Sequence, residues 1–177
     1  MGTIVANFFS SLDTVVERPD TFVFPYFSAQ VGAAISAGIE GVDAVLMGRQ
    51  LYSEWSEHWP ASTDEPFAGF INGVDKYVLS STLTRADWAG TTILSGDDVA
   101  DQVRELKQRK HKITLSGSAT TVRWLIANDL LDELQLLVAP IAVGTGEKLF
   151  TERVPLTLVR SEALDTGMLH LVYRPAA

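Results

Sequence analysis

Along the chain, short apolar runs rich in β-branched residues alternate with stretches in which apolar residues recur every three or four positions. The first pattern fits strands buried on both faces, and the second fits helices lying on them. Thr3 to Phe9 reads as the opening strand, and Val31, Ala34, Ile35 and Gly38 mark a helix over Ser28 to Ile39. Asp43 to Met47 reads as a buried strand stopping at Gly48, followed by a short helix to about Glu57. Lys76 to Leu79, Thr91 to Leu94, Lys112 to Leu115 and Leu134 to Ala139 are further strands. Asp97 to Lys110 opens with acids and closes with Arg104, Lys107, Arg109 and Lys110, a charge order that suits the helix dipole. A further helix, after Ser116-Gly117-Ser118, carries Val122, Leu125 and Ile126 on its apolar side. Leu156 to Leu164 and Met168 to Tyr173 flank Asp165-Thr166-Gly167 and predict an antiparallel hairpin.

Alternating strands and helices predict an α/β domain with a mostly parallel central sheet, flanking helices and that hairpin at its end. The 177 residues fit one domain, 1–177. Residues 18–25 and 59–73 read as the longest irregular stretches and contain much of the proline, as lids and binding loops do.

Composition narrows the chemistry. Apolar residues make up 46% of the chain and charged residues 20%, enough to build a core and stay soluble. A net charge of −8 excludes a general basic field for nucleic acid or anionic membrane, while leaving room for a local phosphate pocket. No cysteine is present, so disulfides and thiolate chemistry are excluded. His58, His111 and His170 lack metal-ligand spacing, and no metal is expected; His58 reads as a surface residue. The N-terminus lacks the pattern of a secretory signal, and no apolar run reaches the roughly 18 to 20 residues that a bilayer requires. A cytoplasmic protein is the expectation.

Three strand-to-helix junctions carry features that phosphates need. Gly48 would let the backbone approach an anion, Arg49 adds a forked cation, and Gln50 and Leu51 open the following helix. Ser80, Ser81 and Thr82 place three hydroxyls at a strand end, which is also ordinary turn and cap chemistry. Gly117, Ser118, Ala119 and Thr120 repeat the glycine-then-helix arrangement. Ligands of open α/β sheets collect at the carboxyl ends of strands, where all three junctions lie, so their coincidence weighs more than any one of them. Neither Gly-x-Gly-x-x-Gly nor a Gly-Lys-Ser/Thr loop is present; Gly144-Thr145-Gly146 comes nearest and is followed by Glu147.

These motifs, with Ser11-Leu12-Asp13, Tyr52, Leu131-Asp132-Glu133-Leu134, Pro140 and Gly144 to Phe150, resemble a bacterial reductase family. That family is related to the C-terminal domain of the bifunctional riboflavin-biosynthesis deaminase-reductase and shares the dihydrofolate reductase fold. The matches span almost the whole chain. The resemblance implies NADPH as cofactor, with phosphate held at Gly48-Arg49, the adenosine phosphate near Ser80 and Ser81, and the pyrophosphate along Gly117-Ser118. Two positions depart from it: Thr14 stands where the family commonly has Gly, and Leu51 where it commonly has Thr.

The expected activity is reduction of a small heterocycle, a pyrimidine, pteridine or relative, resembling 5-amino-6-(5-phosphoribosylamino)uracil reductase and dihydrofolate reductase. Asp13, at the end of the first strand, is the candidate catalytic group, anchoring substrate or assisting a proton relay, with Glu17 and Glu147 as weaker alternatives. Asn7, Tyr26, Tyr52, Trp59 and Glu147 are expected to touch substrate. Tyr26, Phe27, Tyr52, Trp55 and Trp59 would form an aromatic wall for a flat ring, although aromatics at this density also build cores. Two alternatives stand beside this reading: a flavin- or deazaflavin-binding reductase, and a ligand-binding domain that kept the fold and lost turnover. A homodimer through the final hairpin, with Leu169, Leu171 and Tyr173 on one face, is the expected assembly, with no nucleic-acid or membrane partner.

Overall fold

A computed structural model describes residues 1–176. Its strands are β1 (Thr3–Ser11), β2 (Ala44–Gly48), β3 (Asp75–Leu79), β4 (Thr91–Leu94), β5 (Lys112–Leu115), β6 (Glu133–Ala139), β7 (Leu156–Ala163) and β8 (Leu169–Pro175). The helices are α1 (Ala29–Ile39), α2 (Arg49–His58), α3 (Phe67–Gly73), α4 (Val99–Arg109) and α5 (Ala119–Ala127). All eight strands join one sheet in the order β4-β3-β2-β5-β1-β6-β8-β7. Strands β1 to β6 run parallel, while β8 lies antiparallel to β6 and β7 antiparallel to β8. This is the mostly parallel α/β sheet with a terminal hairpin that the periodicity predicts, and it is the dihydrofolate reductase fold.

Alternation along each strand assigns residues to two layers. Ile4, Ala6, Phe8, Leu46, Ile113 and Leu115 face Val103 and Leu106 of α4 and Val122 and Leu125 of α5. On the opposite face, Val45, Met47 and Val78 pack with Tyr52 and Ile71 of α2 and α3. A separate cluster joins Val31 of α1 to Ala139, Leu164 and Met168, with Phe9 and Leu137 against it. The second face is therefore divided: α1 covers one part and the α2–α3 pair another. Along the outer hairpin, Leu158 and Leu169 remain partly exposed.

Residues 59–73 differ from the irregular stretch expected there. Trp59–Ala61 form a 3-10 turn and Phe67–Gly73 form α3, with Ala68 and Ile71 buried three residues apart. Pro60 and Pro66 punctuate the segment without preventing helix, because a proline in the first turn gives up an amide that has no helical partner anyway. Aromatic packing supplies the drive, with ring centroids of Trp55 and Trp59 5.9 Å apart, Trp55 and Phe67 5.6 Å, and Trp59 and Phe67 4.8 Å. Residues 18–25 likewise contain 3-10 turns at Pro19–Thr21 and Phe24–Tyr26. No described helix is long and apolar enough to cross a membrane.

Two lysines lie inside the fold. Lys76 of β3 donates to the carbonyls of Ile71 (2.9 Å) and Val74 (2.8 Å) at the end of α3, and its ammonium sits 4.7 Å from the Trp88 ring centre. Burial holds its pKa below the ordinary lysine value. Lys107, one of the basic residues closing α4, turns inward rather than to solvent. It donates to Asp132 Oδ2 at 2.6 Å and to the Leu130 carbonyl at 3.1 Å. The same Asp132 oxygen accepts from the Ile4 amide at 2.7 Å, so one carboxylate ties α4 to the start of β1.

Asp132→Ala strands the Lys107 ammonium and the Ile4 amide together. Destabilisation of about 1–2 kcal/mol, measured by denaturant unfolding, is expected, because Lys107 is buried while Asp132 is partly exposed to water. A loss under about 1 kcal/mol would mean that water replaces the carboxylate freely.

Candidate functional site

Parallel strands end on a common edge, and register sets their order there. Gly48 of β2 pairs with Leu79 of β3, and Val45 pairs with Thr114 of β5. The Gly48-Arg49, Ser80-Ser81-Thr82 and Gly117-Ser118 junctions therefore stand on three neighbouring strands. The closest approach is at Gly48, where an added Cβ would lie 2.9 Å from Thr121 Oγ1 and 3.5 Å from Ser118 Oγ. Beside it, Leu51 reaches back so that its Cδ2 stands 3.4 Å from where a Cβ on Gly117 would be.

Two helix starts open onto this rim. Gly48 precedes α2 and offers no side-chain cap, so the first amides of Arg49, Gln50 and Leu51 face outward without helical acceptors. Ser118 caps α5 by accepting from the Thr121 amide at 3.4 Å, which leaves the Ala119 and Thr120 amides at the helix mouth. Arg49 is exposed and belongs to no ion pair among the described residues. Ser80 turns its hydroxyl inward to accept from the amides of Thr82 (3.2 Å) and Leu83 (2.9 Å), while Ser81 and Thr82 remain exposed. Two positive helix ends, a guanidinium and several hydroxyls on one edge make a site suited to phosphate groups.

Asp13 sits at the end of β1 as expected, but its carboxylate is fully engaged. It accepts from Ser11 Oγ (2.6 Å), the Val143 amide (3.0 Å) and the Gly144 amide (2.8 Å). These donors, the Ser11 hydroxyl foremost, hold its pKa well below the usual carboxylate range. With three donors, this carboxylate orders the loop after β1. Glu17 and Glu147 serve the same architecture. Glu17 Oε2 accepts from the Glu147 amide at 2.9 Å, and Glu147 pairs with Arg123 at 3.1 Å.

Arg123, which carries no sequence motif, reaches from α5 to the Lys148 and Leu149 carbonyls at 3.0 and 3.2 Å. Gly144-Thr145-Gly146 is thus a latch between two loops. A Cβ on Gly146 would stand 2.6 Å from Val15 Cγ1, and the residue's φ is 131°. Thr14 adopts φ 70°, the left-handed region, which accounts for the glycine common at this position in the family it resembles.

The residues expected to touch substrate do not converge. Tyr26 packs near α1, while Tyr52 and Trp59 lie in the α2–α3 cluster, where Tyr52 Oη accepts from the Trp88 amide at 3.3 Å. The expected aromatic wall therefore splits in two. Asn7 is half-buried on β1, donating through Nδ2 to Thr114 Oγ1 at 2.7 Å, with its Oδ1 facing Gly38 of α1. Phe9, two residues along the same face, meets Phe27 at 5.6 Å, and Phe27 meets Phe24 at 5.6 Å. Phe9 and Phe24 had no motif to mark them; only the period-two spacing of Asn7 and Phe9 puts both on one side of β1.

Two outcomes follow for the β1 loop. Because Asp13 has a lowered pKa in the fold, its contribution is present above the unfolded value of roughly 3.9 and is lost as pH falls below it. Asp13→Asn should lower the melting temperature at pH 7 and converge with the parent as pH falls below about 4. A gap that persists unchanged into strong acid would show that charge is not what orders the loop. Thr14→Gly relieves the left-handed strain of a β-branched residue and should stabilise by about 1 kcal/mol in denaturant unfolding, whereas destabilisation would place the strain elsewhere.

With this geometry in hand, comparison with known proteins gives a consistent outcome. The chain is 28% identical over 140 residues to the Bacillus subtilis (strain 168) protein YyaP, covering 75% of this chain and 73% of that one. A Shewanella sp. PV-4 structure, provisionally assigned to riboflavin biosynthesis, superposes with a TM-score of 0.79 at 20% identity and 99% coverage of both chains. The Thermotoga maritima diaminohydroxyphosphoribosylaminopyrimidine deaminase/5-amino-6-(5-phosphoribosylamino)uracil reductase matches with a TM-score of 0.69 at 15% identity, over 99% of this chain and 57% of that one. The family model described as the RibD C-terminal domain matches residues 2–170. Sheet order, rim and sequence motifs agree with that match, and the chain belongs to the RibD C-terminal domain family, a family of reductases.

Proposed function

We propose that this chain is an NADPH-dependent reductase of a small heterocycle of the pyrimidine or pteridine kind. The observation that carries this reading is the approach of Gly48 to the start of α5. A Cβ there would press within 2.9 Å of the Thr121 hydroxyl, so glycine lets the two helix mouths stand close together at the rim. Such a cradle suits a pyrophosphate, with the α2 amides and Arg49 on one side and the Ala119 and Thr120 amides on the other. Ser81 and Thr82, exposed on the neighbouring strand end, suit the adenosine phosphate that distinguishes NADPH.

When bound, the cofactor supplies the hydride. The chain's own part is binding and orientation. Phe9 packs against the α1 cluster and Asn7 bonds Thr114 of β5 on the same side of β1, so a heterocycle resting beside them would adjoin cofactor groups held at the end of β5. The loops latched by Asp13, Glu17 and Arg123 would exclude water from that space.

Titration with NADPH, followed by calorimetry, tests the reading. Saturable binding is expected, weakened about 10- to 100-fold by Arg49→Ala through loss of a charge-assisted contact. Absence of saturable binding, or an affinity unchanged in Arg49→Ala, would overturn the proposed cofactor site.

A further inference from the structure

Arg123 is the only charged residue of α5, and its guanidinium stands between the helix mouth and the segment after β6. One terminal nitrogen, Nη2, donates to Thr120 Oγ1 at 3.2 Å and to Glu147 Oε1 at 3.1 Å. The other, Nη1, donates to the Lys148 and Leu149 carbonyls at 3.0 and 3.2 Å. A single planar fork thus joins a hydroxyl in the first turn of α5 to the consecutive residues 147–149.

What lies at each end gives this link a consequence. Thr120 is exposed at the helix mouth, one turn before Arg123. Its oxygen accepts from the guanidinium, which leaves its own O–H as a donor directed away from Arg123. At the other end, residues 147–149 form the strip that pairs with the loop after β1. The Val16 amide donates to the Glu147 carbonyl at 2.9 Å, the Leu149 amide donates to the Thr14 carbonyl at 3.0 Å, and Val15 and Lys148 form an antiparallel bridge. Residues 142–148 are exposed along their length, so hydrogen bonds rather than buried contacts carry the order of this strip.

We propose that Arg123 is a positioning residue that couples phosphate at the α5 mouth to the order of the paired loops. A phosphate oxygen that accepts from the Thr120 O–H polarises that hydroxyl, strengthens its bond from Nη2 and so steadies the guanidinium on residues 147–149. This rests on the NADPH reading and extends it. Seating of the phosphates and ordering of the loops become one event, which needs no contact between the nicotinamide and either loop.

The test is amide hydrogen exchange on the full chain, alone and saturated with 2′-phospho-ADP-ribose, which keeps every phosphate of NADPH and lacks the nicotinamide. Exchange at the Val16 and Leu149 amides should slow about tenfold on saturation. In Arg123→Ala and in Thr120→Val, calorimetry should show the probe still binding, about fivefold more weakly for want of the oriented donor, while exchange at those two amides stays unchanged. Each variant is compared with itself, with and without probe, so a general loosening of the loops does not mimic the result. Thr120→Val removes only an exposed hydroxyl and carries the test should Arg123→Ala fail to fold. Arg123→Lys should behave as Arg123→Ala does, because a compact ammonium cannot reproduce the fork. Binding without slower exchange in the parent, or slowing that survives in Thr120→Val or Arg123→Ala, would overturn the coupling and leave the cofactor site standing. Absence of binding by both NADPH and the probe would overturn the cofactor site and the coupling built on it.

Discussion

The site depends on how closely the backbone at Gly48 approaches the start of α5. Parallel strands β2 and β5 bring the two junctions side by side, and an ordinary Cβ at residue 48 would overlap Thr121 Oγ1. The contact draws two helix mouths together, and their partial positive charges add over a space a few ångströms wide. Leu51 closes the gap from the other side by packing toward Gly117. Leu51 presents methyl groups where a hydroxyl would add a donor, so on the proposed reading phosphate contacts fall to the amides and Arg49. A site built on backbone donors tolerates such a change, because the amides remain whatever the side chain.

The second constraint is the stitching of the loops after β1 and β6. Asp13 takes amides from Val143 and Gly144, Glu17 takes the amide of Glu147, and Arg123 takes two carbonyls and a carboxylate. Each acceptor or donor belongs to one loop or to α5, and each partner to another. Carboxylates that might have served as acids are thus committed to loop geometry, at a place where irregular backbone would otherwise leave amides unsatisfied. Because Arg123 sits on α5, whose mouth opens at the rim, ordering of that helix and of the β1 loop are linked through one side chain.

How much of this could be read from residues alone follows from the range of each signal. Strands and long helices were legible because their burial is periodic: Val45 and Met47 face one layer and Leu46 the other. The three rim junctions were legible because glycine and hydroxyls at strand ends are local features, and parallel topology then aligns them. Helix α3 was hidden by Pro66 at its N-cap and Pro60 in the 3-10 turn before it, both of which resemble loop punctuation. Aromatic residues misled for a different reason. Tyr52 and Trp59 occupy positions where a wall would be useful, but only tertiary packing decides between core and groove, and it buries Tyr52 beside Trp88. Asp13 was legible as important and not as to why, since its partners lie 130 residues away.

The two halves of the rim differ for the same architectural reason. Helices α2 and α5 begin at the rim on neighbouring strands, so their positive ends cluster on that side. Strand β1 is followed by a long loop before α1, and no helix mouth opens directly at its end. Whatever polarity this half of the edge possesses must come from loop side chains, and here those are Asp13, Glu17 and Asp20 together with exposed phenylalanines. The sheet and the two helix mouths are fixed by strand register, whereas the side chains of the loop after β1 can change without moving either.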